Sequence, residues 1–151
     1  MNKVFLSLCL FVVVAFAGKG SSCLNAIKVK MFEKYVASTT GLDRSAVWCE
    51  KYKYQPRGVW YRYVGENANV TFETCDDKTD FDTVIFVFDS CEEEQGFVHS
   101  CVAMDDDGCN YVQSHVSFFA KQNREYSIFV TGFMNSTGTF LLRTSKDPGS
   151  N

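Results

Sequence analysis

Proline is scarce in this sequence, with Pro56 and Pro148 the only two among 151 residues. Both fall outside the segments that read as strands, so no strand is contradicted by a missing backbone donor. Sustained helical periodicity is lacking too, apart from a weak helical candidate around Met31 to Val36, which argues against an all-helical domain. No apolar run reaches the roughly 20 residues that span a bilayer. No C-x-x-C pair is present and the two histidines, His99 and His115, stand apart, so zinc is without its usual ligand spacing. The absence of a G-x-S-x-G elbow removes one common nucleophile. Ser100 and Ser114 do adjoin the histidines, but neighbours on a strand point to opposite faces and form no hydrogen-bonded dyad. No catalytic constellation is therefore expected.

The chain does have Lys3, an apolar run from Val4 to Phe16 broken by Ser7 and Cys9, and the triplet Ala15-Phe16-Ala17. This is the pattern of a secretory leader cut after Ala17. The sequence predicts a signal peptide over 1–17, a single domain over 18–145 and a polar tail over 146–151 that lacks the hydrophobic end of a lipid anchor. Removing 17 of the 151 residues leaves 134, enough to bury one core. The expected product is secreted and extracellular, with no membrane anchor. Cys9 leaves with the leader, and Cys23, Cys49, Cys75, Cys91, Cys101 and Cys109 remain. An even number in an oxidising compartment reads as three disulfides, with the pairing left open by the count. Two glycosylation sequons, at Asn69 and Asn135, require those asparagines to be exposed if they are used.

From Arg57 onward, short runs of β-branched and aromatic residues are separated by Gly, Asn, Asp and Ser. Strands are expected over Gly58–Val64, Asn69–Cys75, Thr83–Phe88, Phe97–Met104, His115–Ala120, Glu125–Phe133 and Thr139–Thr144, with another near Leu24–Met31. Val70, Phe72 and Thr74 alternate with Thr71 and Glu73, so one face is buried. Thr83–Phe88 is apolar on both faces and reads as a central strand covered on both sides. The fold class is all-β, a jelly-roll-like antiparallel β-sandwich of about eight strands stapled by disulfides.

Charge is segregated. Lys19 to Arg62 holds nine basic residues against three acidic, and Glu73 to Asp107 holds twelve acidic residues against Lys78 alone. One side of the domain is thus a cation-attracting field. After loss of Lys3, fourteen basic residues face eighteen acidic ones. That net negative charge excludes sequence-independent nucleic-acid binding.

Seven stretches in order carry a family resemblance. They are Cys23-Leu24-Asn25-Ala26-Ile27, Gly58-Val59-Trp60-Tyr61-Arg62-Tyr63, Thr74-Cys75, Phe81-Asp82-Thr83-Val84, Cys101 to Cys109, Tyr126-Ser127-Ile128-Phe129-Val130 and Thr137-Gly138-Thr139-Phe140. Together they resemble the bacterial pre-peptidase C-terminal domain family of secreted β-sandwich modules. Members usually hang on a larger secreted enzyme, whereas this sequence shows no catalytic domain beside the module. The family's Asn-Asp-Asp is here Asp105-Asp106-Asp107, which makes the loop more negative. The resemblance implies a non-catalytic binding or accessory module for extracellular protein or matrix. A carbohydrate-binding module is the alternative, and a small hydrolase using Glu66 and Glu73 a more remote one. Resemblance and strand order favour the pairs Cys23–Cys49, Cys75–Cys109 and Cys91–Cys101, the last across an expected hairpin.

The loop Asp105-Asp106-Asp107-Gly108, with Asp82 and Asp80 elsewhere, offers hard oxygen ligands for Ca²⁺. The match to the family singles out Asp82, Asp106 and Asp107 as the metal set. An EF-hand does not fit, since its frame would place Ala103 and Ser114 at ligand positions. The competing reading is a turn whose carboxylates cap backbone N–H groups. Trp60 is expected to be a core anchor whose N–H finds a partner. Tyr52 and Tyr54, alternating with Lys51 and Lys53, are the candidates for an exposed contact surface.

Overall fold

Short apolar runs bounded by turn residues give described residues whose regular structure is almost wholly strand. A computed structural model describes residues 18–147, so the expected leader lies outside the described residues, as do 148–151. In chain order the strands are β1 (Ile27–Lys28), β2 (Lys34–Ser38), β3 (Val47–Cys49), β4 (Tyr52–Tyr54), β5 (Gly58–Val64), β6 (Ala68–Glu73) and β7 (Thr83–Phe88). They continue as β8 (Glu93–Glu94), β9 (Phe97–Val98), β10 (Cys101–Asp105), β11 (His115–Ala120), β12 (Glu125–Gly132) and β13 (Thr139–Lys146). Two short 3-10 turns, Cys23–Asn25 and Phe133–Asn135, complete the regular structure among the described residues. No helix there is long and apolar enough to cross a membrane.

Two sheets form the sandwich, one ordered β1-β5-β12-β7-β10 and the other β11-β6-β13-β2. Within them all pairs are antiparallel except β1 on β5. Alternation decides which side chains meet between the sheets: Tyr61, Tyr63, Ile85, Val87, Ile128 and Val130 from one, Val70, Phe72, Val116, Phe140 and Leu142 from the other. The odd-facing set of the first sheet, Trp60, Val84, Phe86, Phe88 and Phe129, would otherwise meet solvent. A third small sheet, β4-β3-β9-β8, covers it with Val47, Cys49 and Val98. All six residues of β7 are buried for this reason, as its two-faced apolarity requires.

Trp60 is 1% exposed, and its indole N–H donates to the Ser45 hydroxyl at 2.8 Å. The segment Met31–Val36 is not helical. Lys34–Ser38 pairs with β13, and Tyr35 and Ala37 alternate inward with a period of two. The expected strand over Phe97–Met104 is broken at His99 and Ser100, which divides it between the small third sheet and the main one. Near Leu24–Met31 only Ile27–Lys28 pairs as a strand. Tyr52 and Tyr54 form no exposed surface, because both turn inward onto the Phe86 ring, with centroids at 6.4 and 5.8 Å.

Of the three expected disulfides, Cys75–Cys109 is present and the other two pairings differ. The bonds are Cys23–Cys91 and Cys49–Cys101, with Cα atoms 5.6 and 5.2 Å apart. The third sheet is the cause. Val47 pairs in parallel with Val98, so Cys49 and Cys101, each just downstream, arrive side by side. Cys91 is left to meet Cys23, whose 3-10 turn packs into the same outer core.

Candidate metal centre

The acidic residues converge because two antiparallel neighbours point their ends the same way. Asp105 pairs with Ile85, so the residues after β10 come level with those before β7. Asp82, Asp106 and Asp107 thereby place one carboxylate oxygen each within 4.8 Å of the others. None of the three forms a side-chain ion pair or hydrogen bond among the described residues.

Asp106 Oδ1 and Asp82 Oδ1 are buried without a hydrogen-bond partner. Partial burial, reinforced by Asp107, Asp82 and Asp105, pushes the Asp106 carboxyl up to about 6. Burial and Asp107 raise Asp82 as well. Two oxygens on one Ca²⁺, each about 2.4 Å from the ion, are at most about 4.8 Å apart, so the spacing fits a shared hard cation. Three carboxylates can also supply much of its oxygen shell.

The four consecutive positions of the loop divide their work. Asp105 is the capping residue: its Oδ2 accepts from the N–H groups of Gly108 and His115, both at 2.8 Å. A Cβ on Gly108 would lie 2.3 Å from that oxygen, so glycine is required there. Asp80 is likewise committed to structure, accepting from the Thr139 N–H at 2.8 Å. The turn reading thus describes Asp105 and Asp80, while the open carboxylates are those of Asp82, Asp106 and Asp107.

Beneath the loop lies a buried hydroxyl network with no sequence motif to announce it. Thr74 and Thr83 share a hydrogen bond of 2.7 Å, and the Ser114 hydroxyl reaches the Thr83 and Asp106 carbonyls at 2.6 and 2.9 Å. The Cys75–Cys109 bridge adjoins this network, and Gln113 ties it to the Asp76 and Thr79 carbonyls at 3.1 Å. The aspartates are held from below by rigid, satisfied groups.

The remaining candidates are dispersed. Glu66 pairs with Lys146, and Glu73 with Arg143 at 3.6 Å. These two glutamates flank β6 from opposite ends, roughly 20 Å apart along a strand, whereas a glycosidase pair needs about 5 to 9.5 Å. His99 and His115 lie near Glu94 and Glu73, each at 3.8 Å. Asn69 and Asn135 are both exposed, the latter accepting from Arg44 at 2.7 Å.

No protein-family model and no curated protein matches the sequence. Among solved structures, the chain resembles the pre-peptidase C-terminal domain of a collagenase from Bacillus anthracis. That likeness has 13% identity and a TM-score of 0.53, and covers 79% of this chain and 93% of that one. It also aligns with PliG, a periplasmic lysozyme inhibitor of g-type lysozyme from Aeromonas hydrophila, at 11% identity and a TM-score of 0.48, over 80% and 95% of the chains. The first likeness establishes a shared sandwich fold at an identity too low to carry function, and the second is too slight to argue from.

Proposed function

We propose that this chain is a secreted, non-catalytic binding or accessory module of the pre-peptidase C-terminal family, directed at extracellular protein or matrix and stabilised by Ca²⁺ held between Asp82, Asp106 and Asp107. The carrying observation is the open acidic triad, three carboxylates brought together on a braced loop with two buried oxygens unpartnered. A bound cation would neutralise their repulsion and tie the start of β7 to the end of β10, stiffening that end of the sandwich. The three disulfides suit export after loss of residues 1–17. The wide separation of Glu66 and Glu73 speaks against the hydrolase alternative.

The test is retention of the disulfide-bonded protein on a panel of immobilised matrix proteins and glycans, in Ca²⁺ and in EDTA, with turnover of each substrate followed in parallel. Retention without turnover, weakened by EDTA and by Asp106→Asn with Asp107→Asn, is the expected result. Hydrolysis of any substrate at a rate that Glu66→Gln or Glu73→Gln abolishes would reject the non-catalytic reading.

A further inference from the structure

The acidic triad occupies one end of the sandwich, where Gly58 pairs with Thr131 and Thr83 with Gly132. At the other end, where Val64 pairs with Glu125, lies a cavity of about 500 Å³. The length of β5, about 20 Å, separates the two.

The cavity is basic. Lys28, Lys30 and Lys146 line it against the single carboxylate of Glu66, which Lys146 already engages. Lys28 and Lys30 are exposed, and neither side chain has a hydrogen-bond or ion-pair partner among the described residues. Tyr63 is also part of the lining. Its side chain is 2% exposed and its hydroxyl has no hydrogen-bond partner, an unusual state for a buried phenol. Burial and the nearby Glu66 push that phenol up to about 12, which keeps it a donor.

An aromatic ring stands at the rim. Phe32 is 68% exposed with φ at 63°, a left-handed conformation that bulky residues rarely adopt. The surroundings impose it. The Phe32 N–H donates to the Thr144 carbonyl at 2.9 Å, the Glu33 N–H to the Thr144 hydroxyl at 3.1 Å, and that hydroxyl to the Lys30 carbonyl at 2.7 Å. The neighbouring groups thus hold the backbone that carries the ring, and leave most of the ring open to solvent. Also in the lining, the Gly65 backbone packs so closely that a Cβ would lie 2.1 Å from the Lys121 carbonyl oxygen. The Asn123 N–H donates to the Gly65 carbonyl at 2.9 Å, which fixes the amide-bearing turn of Gln122 and Asn123 at the cavity wall.

An exposed ring on a held backbone, two unpaired ammonium groups, two side-chain amides and an unsatisfied hydroxyl match a ligand that has flat C–H faces, many hydroxyls and negative charge. We infer that this cavity binds an anionic glycan, its carboxylate or sulfate groups held by Lys28 and Lys30 and a sugar ring laid against Phe32. The inference rests on the reading of the chain as a secreted binding module and names a ligand class and a place for it. A volume of about 500 Å³ suits one or two sugar rings.

The test uses titration calorimetry of the oxidised protein with a polyuronate oligosaccharide, a sulfated oligosaccharide, a neutral oligosaccharide of equal length and a poly-glutamate peptide. One or both anionic glycans should bind, the neutral one should not, and added NaCl should weaken binding. Lys28→Gln with Lys30→Gln should weaken it about tenfold or more, as loss of charged hydrogen bonds does. Phe32→Gly should weaken binding about fivefold while the melting temperature holds or rises, because glycine relaxes the left-handed backbone. Lys51→Gln with Lys78→Gln removes equal charge away from the cavity and should leave the affinity within about twofold.

Absence of binding to both anionic glycans overturns the inference, as does equal weakening by the two lysine pairs. Poly-glutamate binding as tight as the glycan would make the cavity an acidic-peptide site instead. If matrix proteins are retained while no anionic glycan binds, the module reading stands and this inference falls. If the glycan binds and is cut, the non-catalytic reading falls and the site stands.

Discussion

Trp60 stacks on Phe129 across adjacent strands β5 and β12, with ring centroids 4.4 Å apart and planes inclined by 26°. The pair lies on the outer face of the five-stranded sheet, under the small third sheet, and the indole N–H is satisfied by Ser45. With the Cys49–Cys101 bridge and the Tyr52 and Tyr54 contacts to Phe86, it helps fix a layer of two- and three-residue strands to the sandwich.

Phe129→Ala should therefore cost about 3 to 5 kcal/mol, since Phe129 is fully buried. Ser45→Ala leaves a buried indole donor unpaired and should cost about 1 to 3 kcal/mol. Urea denaturation of the oxidised proteins measures both. A loss below about 1 kcal/mol for Phe129→Ala would show that the outer layer adds little to the fold.

Calcium should raise the melting temperature relative to EDTA. At 100 times its dissociation constant, a ligand bound only by the folded state stabilises by about 2.7 kcal/mol, a shift of several degrees for a domain of this size. NaCl at matched ionic strength should not reproduce the shift. The double substitution Asp106→Asn, Asp107→Asn should abolish it, and equal melting in EDTA and Ca²⁺ for the wild type refutes the metal.

Without metal, the same cluster should make stability fall as pH rises. The Asp106 carboxyl titrates near 6 when folded and close to 4 when unfolded, so between those values the folded state holds the extra proton. Its contribution is most favourable below about pH 4 and is lost as pH rises through about 6. Asp82 shifts in the same direction. Melting in EDTA across this range should show a downward slope that Asp106→Asn flattens, and an unchanged slope in the variant would contradict the assignment.

Non-reducing peptide mapping should recover Cys23 joined to Cys91 and Cys49 to Cys101. Replacing Cys49 and Cys101 together by Ala should cost about 2 to 5 kcal/mol. A peptide linking Cys91 to Cys101 would contradict the parallel placement of β3 beside β9.

The sequence announced the sandwich where its strands were long enough to show a period. Gly58–Val64, Thr83–Phe88 and His115–Ala120 lie within the boundaries that alternation and apolar runs indicate. The third sheet was invisible because strands of two or three residues, such as Glu93–Glu94 and Val47–Cys49, have no measurable period. Two disulfide pairings were hidden for the same reason, being set by the contact of β3 with β9. Lys34–Ser38 escaped notice because it is a short edge strand with only Tyr35 and Ala37 turned inward. The set Asp82, Asp106 and Asp107 was named through the acidic segment and the family resemblance, whereas its physical cause, the pairing of β7 with β10, shows only in the fold. The cavity at the far end showed in the sequence only as an excess of lysine, since neither the backbone twist at Phe32 nor the isolation of the Tyr63 hydroxyl has a sequence signature.

The three disulfides overlap along the chain, since 23–91, 49–101 and 75–109 each begin before the previous one closes. Every peptide bond from Cys23 to Cys109 is therefore spanned by at least one bridge. The pairing expected from sequence would have left the stretch between Cys49 and Cys75 unspanned. A protease that nicks any single loop in that interval, the exposed Gln95-Gly96 turn included, releases no fragment. The nicked molecule keeps its mass until it is reduced.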